Sequence, residues 1–252
     1  TGTMAEIQVS VQDGESKAFP QGTTFAEALK ELVSGKQRKQ TVAVRSDGRL
    51  LDLSTPLMLD TVFEPVSLQS EAGEEILRHS TAHLMALAVK ELYGDRVKVA
   101  IGPAIEDGFY YDFDRDKAFS PDDFEQIEAK MTELANARLP FTRKEVSREE
   151  AIGFFTELGE VYKLELLGEM DVESVSLYTH GKFVDLCRGP HVPDSSWIKV
   201  FKLLRVAGSY WRGDEKRPML TRIYGTAFAD KKDLKQYLDR LEEARKRDHR
   251  RL

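Results

Sequence analysis

Hydrophobic and polar residues alternate at the start of the chain, a pattern typical of half-buried strands. Ile7, Val9 and Val11 show this period of two, and Asp13-Gly14 then provides a hairpin turn before a second strand. A helix with an apolar stripe and further short strand patterns follow. The order strand–strand–helix–strand–strand predicts a small ubiquitin-like β-grasp domain over residues 4–67.

A helical period replaces this alternation between Glu74 and Tyr93, where apolar residues recur every three or four positions and predict one core-facing side. Capping signals at Ser120 and Ser147 predict two further helices, and strand patterns occur before and after them. The strands and helices come in batches without strict alternation, which favours an α+β fold over a doubly wound sheet. We expect this second domain to span residues 68–229.

The last segment, residues 230–252, is highly charged. Leu234, Leu238 and Leu241 lie at helical spacing and predict an amphipathic helix that ends in the basic residues 245–251. We interpret it as a linker helix. Its basic end suits the helix dipole of a solvated helix and is also compatible with contact to RNA.

Composition sets limits on the class of protein. The chain has 252 residues, enough for two domains, and a net charge of −6, which gives no overall signature of nucleic-acid binding. No apolar run approaches a membrane span and no signal peptide is visible, so we expect no membrane partner. The single cysteine, Cys187, cannot form an internal disulfide and fits a cytoplasmic location. Thr1-Gly2-Thr3, ahead of Met4, is interpreted as a cloning remnant.

Two short stretches hold most of the candidate chemistry. His79 and His83 are four residues apart in a predicted helix, so they point the same way, and Cys187 and His191 are four apart in a Gly-Pro loop after a strand. Three imidazoles and a thiol can form a tetrahedral zinc site, or they can surround a water with a histidine as base. Packed histidines and a buried cysteine are the alternatives, and residue types alone do not separate these.

The same stretches carry a resemblance to a known family. Residues 4–67 are similar in pattern to the TGS domain at the start of threonyl-tRNA synthetases. The second domain resembles the editing domain of the bacterial-type enzymes in motifs that occur in the family's order: HSTAHL at 79–84, GFYYD at 108–112, YK at 162–163, DLCRGPH at 185–191, AGSYWRGD at 207–214 and RIYGTA at 222–227. The resemblance covers essentially the whole chain.

The resemblance implies an activity. The expected reaction is proofreading hydrolysis of mischarged seryl-tRNA(Thr), and the expected partner is the tRNA 3′ end carrying serine. Nothing in the chain resembles class II synthetase motifs, so we expect no ligase activity and place the catalytic and anticodon-binding domains in a longer parent enzyme. The fragment is expected to be monomeric. The alternatives are a non-catalytic tRNA-binding module and a zinc-dependent editing hydrolase of the alanyl type.

The resemblance also implies roles for the candidate catalytic residues. His79 positions or deprotonates the attacking water. His83 and His191 shape the pocket and hold the ribose or the ester. Lys163 binds the seryl group or a water, and Cys187 forms a wall against the methyl group of threonine. The family implies that no metal is bound, and zinc held by the three histidines and the cysteine is the alternative.

Five further residues are implied in substrate binding. Asp185 holds the substrate's ammonium or hydroxyl group, and Tyr110 contacts the terminal adenosine or the substrate. Arg188 is either a structural contact or a phosphate contact. Tyr210 and Trp211 offer aromatic surfaces of the kind that grip RNA ends. Packing of one aromatic residue of this pair in the core is the competing interpretation.

Overall fold

The computed structural model describes residues 5–251, so the predicted cloning remnant, Met4 and Leu252 lie outside the described residues. The helices are α1 (Phe25–Leu32), α2 (Gly35–Arg38), α3 (Glu71–Tyr93), α4 (Phe124–Asn136), α5 (Arg148–Leu158), α6 (Val161–Glu169) and α7 (Lys231–Arg250). The strands are β1 (Glu6–Val11), β2 (Lys17–Pro20), β3 (Thr41–Ser46), β4 (Arg49–Asp52), β5 (Thr61–Ser67), β6 (Lys98–Val99), β7 (Ala104–Ile105), β8 (Gly108–Asp114), β9 (Phe141–Ser147), β10 (Ser174–His180), β11 (Phe183–Leu186), β12 (Val200–Tyr210) and β13 (Met219–Phe228). These elements confirm the predicted α+β class.

The first 60 or so described residues form one mixed sheet covered by α1. Its strand order is β2-β1-β5-β3-β4, with β1 and β5 parallel at the centre. Thr24 caps α1 by accepting a hydrogen bond from the Glu27 amide, and Phe25 packs edge-on against Phe63 in the core below. The predicted order of strands and helix is present in this region.

Helix α3 is the centre of the larger part of the molecule. It lies against a sheet of order β12-β13-β8-β6 and also contacts the separate sheet β11-β10-β9. Residues Ile76 to Lys90 are buried on every side of the helix, with His79 as the exception. The expectation of a single core-facing side was therefore wrong, because elements pack against this helix all round and small residues such as Ala82 and Ala86 admit them closely.

Two elements that position the site were not predicted from sequence. Strand β9 joins α4 to α5 and pairs with β10, and helix α6 follows α5 directly. Helix α6 has no side-chain cap, since Glu160 at its start turns instead to Lys90. The sequence therefore lacks the usual signal for a helix at the place where Lys163 occurs.

The charged helix α7 begins at an Asp230 cap and contacts β12 and β13 without burying any of its own described residues. This is the arrangement predicted for an amphipathic linker helix, whose polar surface stays in water. No helix in residues 5–251 combines the length and apolar character needed to cross a membrane.

Candidate active site with three histidines and a cysteine

Four side chains from the two predicted stretches meet at one point. One nitrogen or sulfur atom each of His79, His83, Cys187 and His191 lies within 4.8 Å of the others. Helix α3 supplies the first two residues on successive turns, and the loop after β11 supplies the other two. Cys187 Sγ lies 3.5 Å from His79 Nε2 and 3.3 Å from His191 Nε2.

The loop between Cys187 and His191 depends on Gly189. This glycine has φ +72°, and a Cβ atom there would lie 1.9 Å from the Tyr178 hydroxyl. Its N–H donates to Cys187 Sγ at 3.2 Å, which folds the loop back on itself. The following Gly189–Pro190 peptide bond is cis. Only glycine meets both the conformational and the steric demand at this position.

Ser80 fixes the orientation of the His191 ring. Its hydroxyl donates to the Ile76 carbonyl at 2.7 Å and accepts from the Val192 N–H at 3.0 Å. The one hydroxyl hydrogen is therefore used, so the 3.1 Å contact with His191 Nδ1 is assigned as a hydrogen bond donated by the ring. This tautomer leaves a lone pair on His191 Nε2, which faces Cys187 and His79.

The environment keeps His79, His191 and Cys187 uncharged. Burial, followed by the nearby His83 ring, lowers the pKa of His79 to about 3, and burial also holds the pKa of His191 well below its usual value. Burial raises the pKa of the Cys187 thiol to about 12. At neutral pH, His79 and His191 are therefore neutral imidazoles and Cys187 is a protonated thiol, which suit hydrogen bonding to an uncharged water or ester.

A buried ion pair lies directly behind His83. Lys163 Nζ is 2.5 Å from Asp185 Oδ1, while Asp185 Oδ2 lies 3.0 Å from His83 Nε2 and accepts a 2.7 Å hydrogen bond from the Tyr111 hydroxyl. Burial alone would raise the pKa of Asp185, but Lys163 and His83 outweigh it and hold the pKa well below the usual range. Lys163 also donates to the Tyr111 oxygen at 3.1 Å.

Asp185 and Lys163 are paired with groups of the protein itself. The Asp185 and Lys163 side chains are 4% and 3% exposed, and Asp185 Oδ1 also accepts a hydrogen bond from the Leu186 N–H. Holding a substrate ammonium group, the role expected for Asp185, would require this carboxylate to give up a present partner. In this arrangement the pair contacts His83 and Tyr111.

The site opens at His79 and Cys187, which are the half-buried members of the cluster. Cys187 and the exposed Arg188 form part of the wall of a groove of about 480 Å³, which Arg143 also lines. An extended ligand can reach the thiol along this groove. Its two guanidinium groups are suited to phosphate oxygens.

The aromatic residues expected to bind substrate lie elsewhere. Tyr110 packs under the guanidinium of Arg222, 3.8 Å from its ring centre, and against Tyr224. Tyr210 is 40% exposed at the end of β12, whereas Trp211 is only 3% exposed and donates from its ring to Glu165 at 2.8 Å. Trp211 is thus packed in the protein, as the competing interpretation has it.

Sequence reasoning missed several residues that hold the site. Tyr111 follows Tyr110 in β8, and adjacent strand residues point to opposite faces, so the alternation was the available signal. Ser80 lies inside the histidine motif. Tyr178 and Asp52 gave no local signal, since their partners are far away in sequence: Asp52 accepts hydrogen bonds from the Tyr178 hydroxyl and the His191 N–H.

The residue types of the cluster suit a zinc ion, and two of the donor distances do as well. Zinc–nitrogen and zinc–sulfur distances of about 2.0–2.3 Å put tetrahedral ligand atoms about 3.3–3.8 Å apart, and the two Cys187–histidine distances of 3.3 and 3.5 Å lie in that range. His83 and His191 also contact Asp185 and Ser80 through their other ring nitrogens, as metal-binding histidines commonly do. The thiol would have to lose its proton for zinc to bind.

Known proteins are similar to this chain in sequence. A family model described as the threonyl and alanyl tRNA synthetase second additional domain matches residues 175–224. The chain is 57% identical over 250 residues to a threonine–tRNA ligase of Syntrophotalea carbinolica, covering 99% of the chain and 39% of the relative. It is 53% identical over 249 residues to that of Citrifermentans bemidjiense, with the same coverage of 99% and 39%.

The match to a threonine–tRNA ligase of Nitratidesulfovibrio vulgaris is 51% identical over 247 residues, covering 98% of the chain and 38% of the relative. The chain thus spans about two-fifths of the length of the curated relatives that it matches. Over nearly its whole length, this chain is similar to a part of these bacterial threonine–tRNA ligases, and its residues 175–224 match the second additional domain of threonyl and alanyl tRNA synthetases.

Proposed function

We propose that this chain hydrolyses the ester of mischarged seryl-tRNA(Thr) and so serves as the editing region of a threonyl-tRNA synthetase. The observation that carries the proposal is the meeting of His79, His83, Cys187 and His191, with Cys187 also forming part of the wall of an open groove. Ligation of threonine, the activity in the names of the relatives, is assigned to catalytic and anticodon-binding parts of a longer protein.

Chemistry explains why a ligase for threonine needs a second site. Serine is smaller than threonine by one methyl group, and a binding pocket discriminates one such group by only about 1–3 kcal/mol. A hydrolytic site that admits serine and excludes the larger side chain removes the error. Cys187, on the groove wall beside the histidines, is placed to oppose the extra methyl group.

The reaction is attack of water on an aminoacyl ester. His79, half-buried and neutral, accepts a hydrogen bond from the water and takes its proton as the oxygen bonds to the carbonyl carbon. The carbon–oxygen bond to the ribose then breaks, and the proton passes to the departing ribose oxygen. Serine and free tRNA are the products.

The remaining residues orient this chemistry. His191 Nε2 presents its lone pair to the same space and holds a water or a ribose hydroxyl. Lys163 and Asp185 act through His83 and Tyr111, which they contact, and are positioning residues in this proposal. Arg188 and Arg143 line the groove, and contact the phosphates of the single-stranded RNA end.

A deacylation assay tests the proposal. The chain is mixed with Ser-tRNA(Thr) and, separately, Thr-tRNA(Thr). We expect release of serine to exceed release of threonine, and His79→Ala to lower the serine rate by about 10²–10⁴-fold. The exposed histidine in α7 provides the matched control, and His249→Ala should leave the rate unchanged. Binding of the tRNA without turnover by the unaltered chain would overturn the proposal and support a non-catalytic tRNA-binding module.

A zinc-dependent hydrolase of the alanyl type is the second candidate, because three imidazoles and a thiol meet here and two of their distances match a zinc site. Bound zinc would act as a Lewis acid toward the ester carbonyl. We propose hydrolysis without a resident metal, since His79 at the opening of the site can itself take the proton of the attacking water. Elemental analysis and assay after chelation decide the matter: one zinc per chain together with loss of activity on chelation would overturn the metal-free mechanism.

A further inference from the structure

Asp52 is an unusual residue for the small first sheet. It ends β4 and is 8% exposed; within residues 5–67 the other buried polar residue is Thr41. Burial raises the pKa of the Asp52 carboxyl group, which reflects the cost of removing a carboxylate from water. A buried acid of this kind is tolerated when hydrogen bonds compensate it.

The compensating partners belong to the candidate active site, far along the chain. Asp52 Oδ2 accepts a 2.5 Å hydrogen bond from the Tyr178 hydroxyl, 126 residues away. Asp52 Oδ1 accepts a 2.9 Å hydrogen bond from the His191 N–H, 139 residues away. Both oxygens of the Asp52 carboxylate, in the first sheet, thus accept hydrogen bonds from the larger part of the molecule.

These two hydrogen bonds lie beside the loop that carries His191. The Tyr178 ring packs edge-on against the His191 ring, with centroids 4.4 Å apart at 79°, and its hydroxyl fills the space that a Cβ atom at Gly189 would need. Ser80 holds His191 Nδ1 from the opposite side. His191 is therefore held at its backbone by Asp52, along its ring by Tyr178 and at one nitrogen by Ser80.

We propose that Asp52 is a positioning residue of the active site, through which the first domain sets the direction of the His191 lone pair. Asp52 touches no reacting atom; it fixes the backbone of His191 and the hydroxyl of Tyr178. Without it, His191 loses the hydrogen bond that holds its backbone, and its ring loses its alignment with Ser80. This inference rests on the proposed ester hydrolysis.

The kinetic test compares Asp52→Ala and Asp52→Asn with Glu64→Ala. Glu64 is an exposed carboxylate in β5, two strands away from β4 in the same sheet, and serves as the matched control. We expect Asp52→Ala to lower kcat for Ser-tRNA(Thr) deacylation by about 10–100-fold, with KM changed less than about twofold because the groove is intact. Asp52→Asn keeps an acceptor for the His191 N–H and should recover most of the rate.

A spectroscopic test does not depend on turnover. In ¹⁵N-labelled full-length chain, the His191 ring is expected to show a protonated Nδ1 and a bare Nε2. Asp52→Ala should replace this pattern with an averaged one, and Glu64→Ala should preserve it. If the unaltered chain does not hydrolyse the ester but Asp52→Ala still alters the His191 signals, the proposed function fails and the positioning role stands.

Two outcomes would overturn the inference. One is an unchanged kcat and an unchanged His191 ring pattern in Asp52→Ala. The other is a lower unfolding temperature with kcat preserved at a temperature where the variant is folded, which would assign Asp52 to stability alone.

Discussion

Two buried ion pairs lie in the larger part of this protein and differ mainly in their neighbours. Lys90–Glu160 and Lys163–Asp185 both have nitrogen–oxygen distances of 2.5 Å, and all four side chains are at most 8% exposed. Lys90 also donates to the Val97 carbonyl, and Glu160 accepts from the Val99 N–H, so that pair is completed by backbone. Lys163–Asp185 is completed instead by the side chains of His83 and Tyr111.

A buried ion pair by itself therefore does not identify a functional site. Both pairs involve the start of α6, which carries Glu160 before its first residue and Lys163 in its first turn. A buried pair is weak evidence for stability, because desolvation offsets the attraction. Lys163–Asp185 differs because Asp185 also contacts Tyr111 and His83, and His83 belongs to the proposed reaction centre. The following predictions test this distinction.

The largest effect is expected for the backbone-completed pair. Lys90→Met leaves the Glu160 carboxylate buried without its cation, and breaking one partner of such a pair costs about 3–5 kcal/mol. Urea unfolding should show this loss of free energy, while the deacylation rate per folded molecule stays within about twofold, a conventional margin for no kinetic effect. A large fall in rate with little loss of stability would contradict the assignment of this pair to structure.

The other pair should act on the rate. Lys163→Met removes the cation that holds Asp185 toward His83, and we expect the single-turnover rate on Ser-tRNA(Thr) to fall by about 10²–10³-fold. Lys90→Met, assayed at a temperature where both variants are folded, is the control for general loosening of α6. Equal rates in the two variants would remove the distinction between the pairs.

A third buried ionisable group, His180, has no ion-pair partner within residues 5–251, so burial without a partner can be compared with the two pairs. It stacks on Phe141 with centroids 3.8 Å apart, and burial, followed by the His83 ring, lowers its pKa to about 3. Between pH 6.5, the usual value, and about 3, the unfolded chain binds a proton that the folded chain does not. Stability is therefore fully present above pH 6.5 and falls on acidification, by at most about 1.4 kcal/mol per pH unit for this residue.

His180→Leu tests this sign, since leucine cannot take the proton. Urea midpoints of both chains are measured at pH 7.5 and 5. We expect the variant to lose less stability over that interval, and the difference between the two pH values cancels any constant packing penalty. Parallel losses in both chains would show that His180 does not contribute to acid sensitivity.

The smallest effect is expected for an exposed pair. Lys235 and Asp239 are one turn apart on α7, 3.1 Å from each other and both well exposed. Water screens such a pair, so Lys235→Ala should change the free energy of unfolding by about 0.5 kcal/mol or less. This variant sets the lower limit against which the buried pairs are judged. A loss comparable to that of Lys90→Met would contradict the role given to burial.

Local signals account for much of the fold that could be predicted. The Ser147 hydroxyl accepts from the Glu150 N–H at 3.1 Å, and the Asp230 carboxylate caps α7 in the same way. These contacts join residues three apart, so the residues themselves indicate where the helices begin. Helix α6 was not predicted because Glu160, at its cap position, pairs with Lys90 of α3 and makes no capping hydrogen bond.

The candidate site was only partly accessible to such reasoning. The histidine and cysteine motifs indicated the residues of the cluster, and the structure shows that their side chains meet. In β8 the motif favoured Tyr110, but Tyr111 is the tyrosine that reaches Asp185. Which face of a strand points inward depends on the elements packed against it, which the strand's own residues do not state.

By itself, the sequence determined the α+β class, most helix starts and the residues able to carry hydrolytic chemistry, because periodicity, caps and motifs act over a few neighbouring positions. The tertiary structure was needed to show that Asp52 binds the His191 N–H and that Lys163 pairs with Asp185. It was also needed to show that Trp211 is buried. These contacts join residues from 22 to 139 positions apart or depend on burial. They arise when sheets and helices pack together, and no local pattern encodes such pairings.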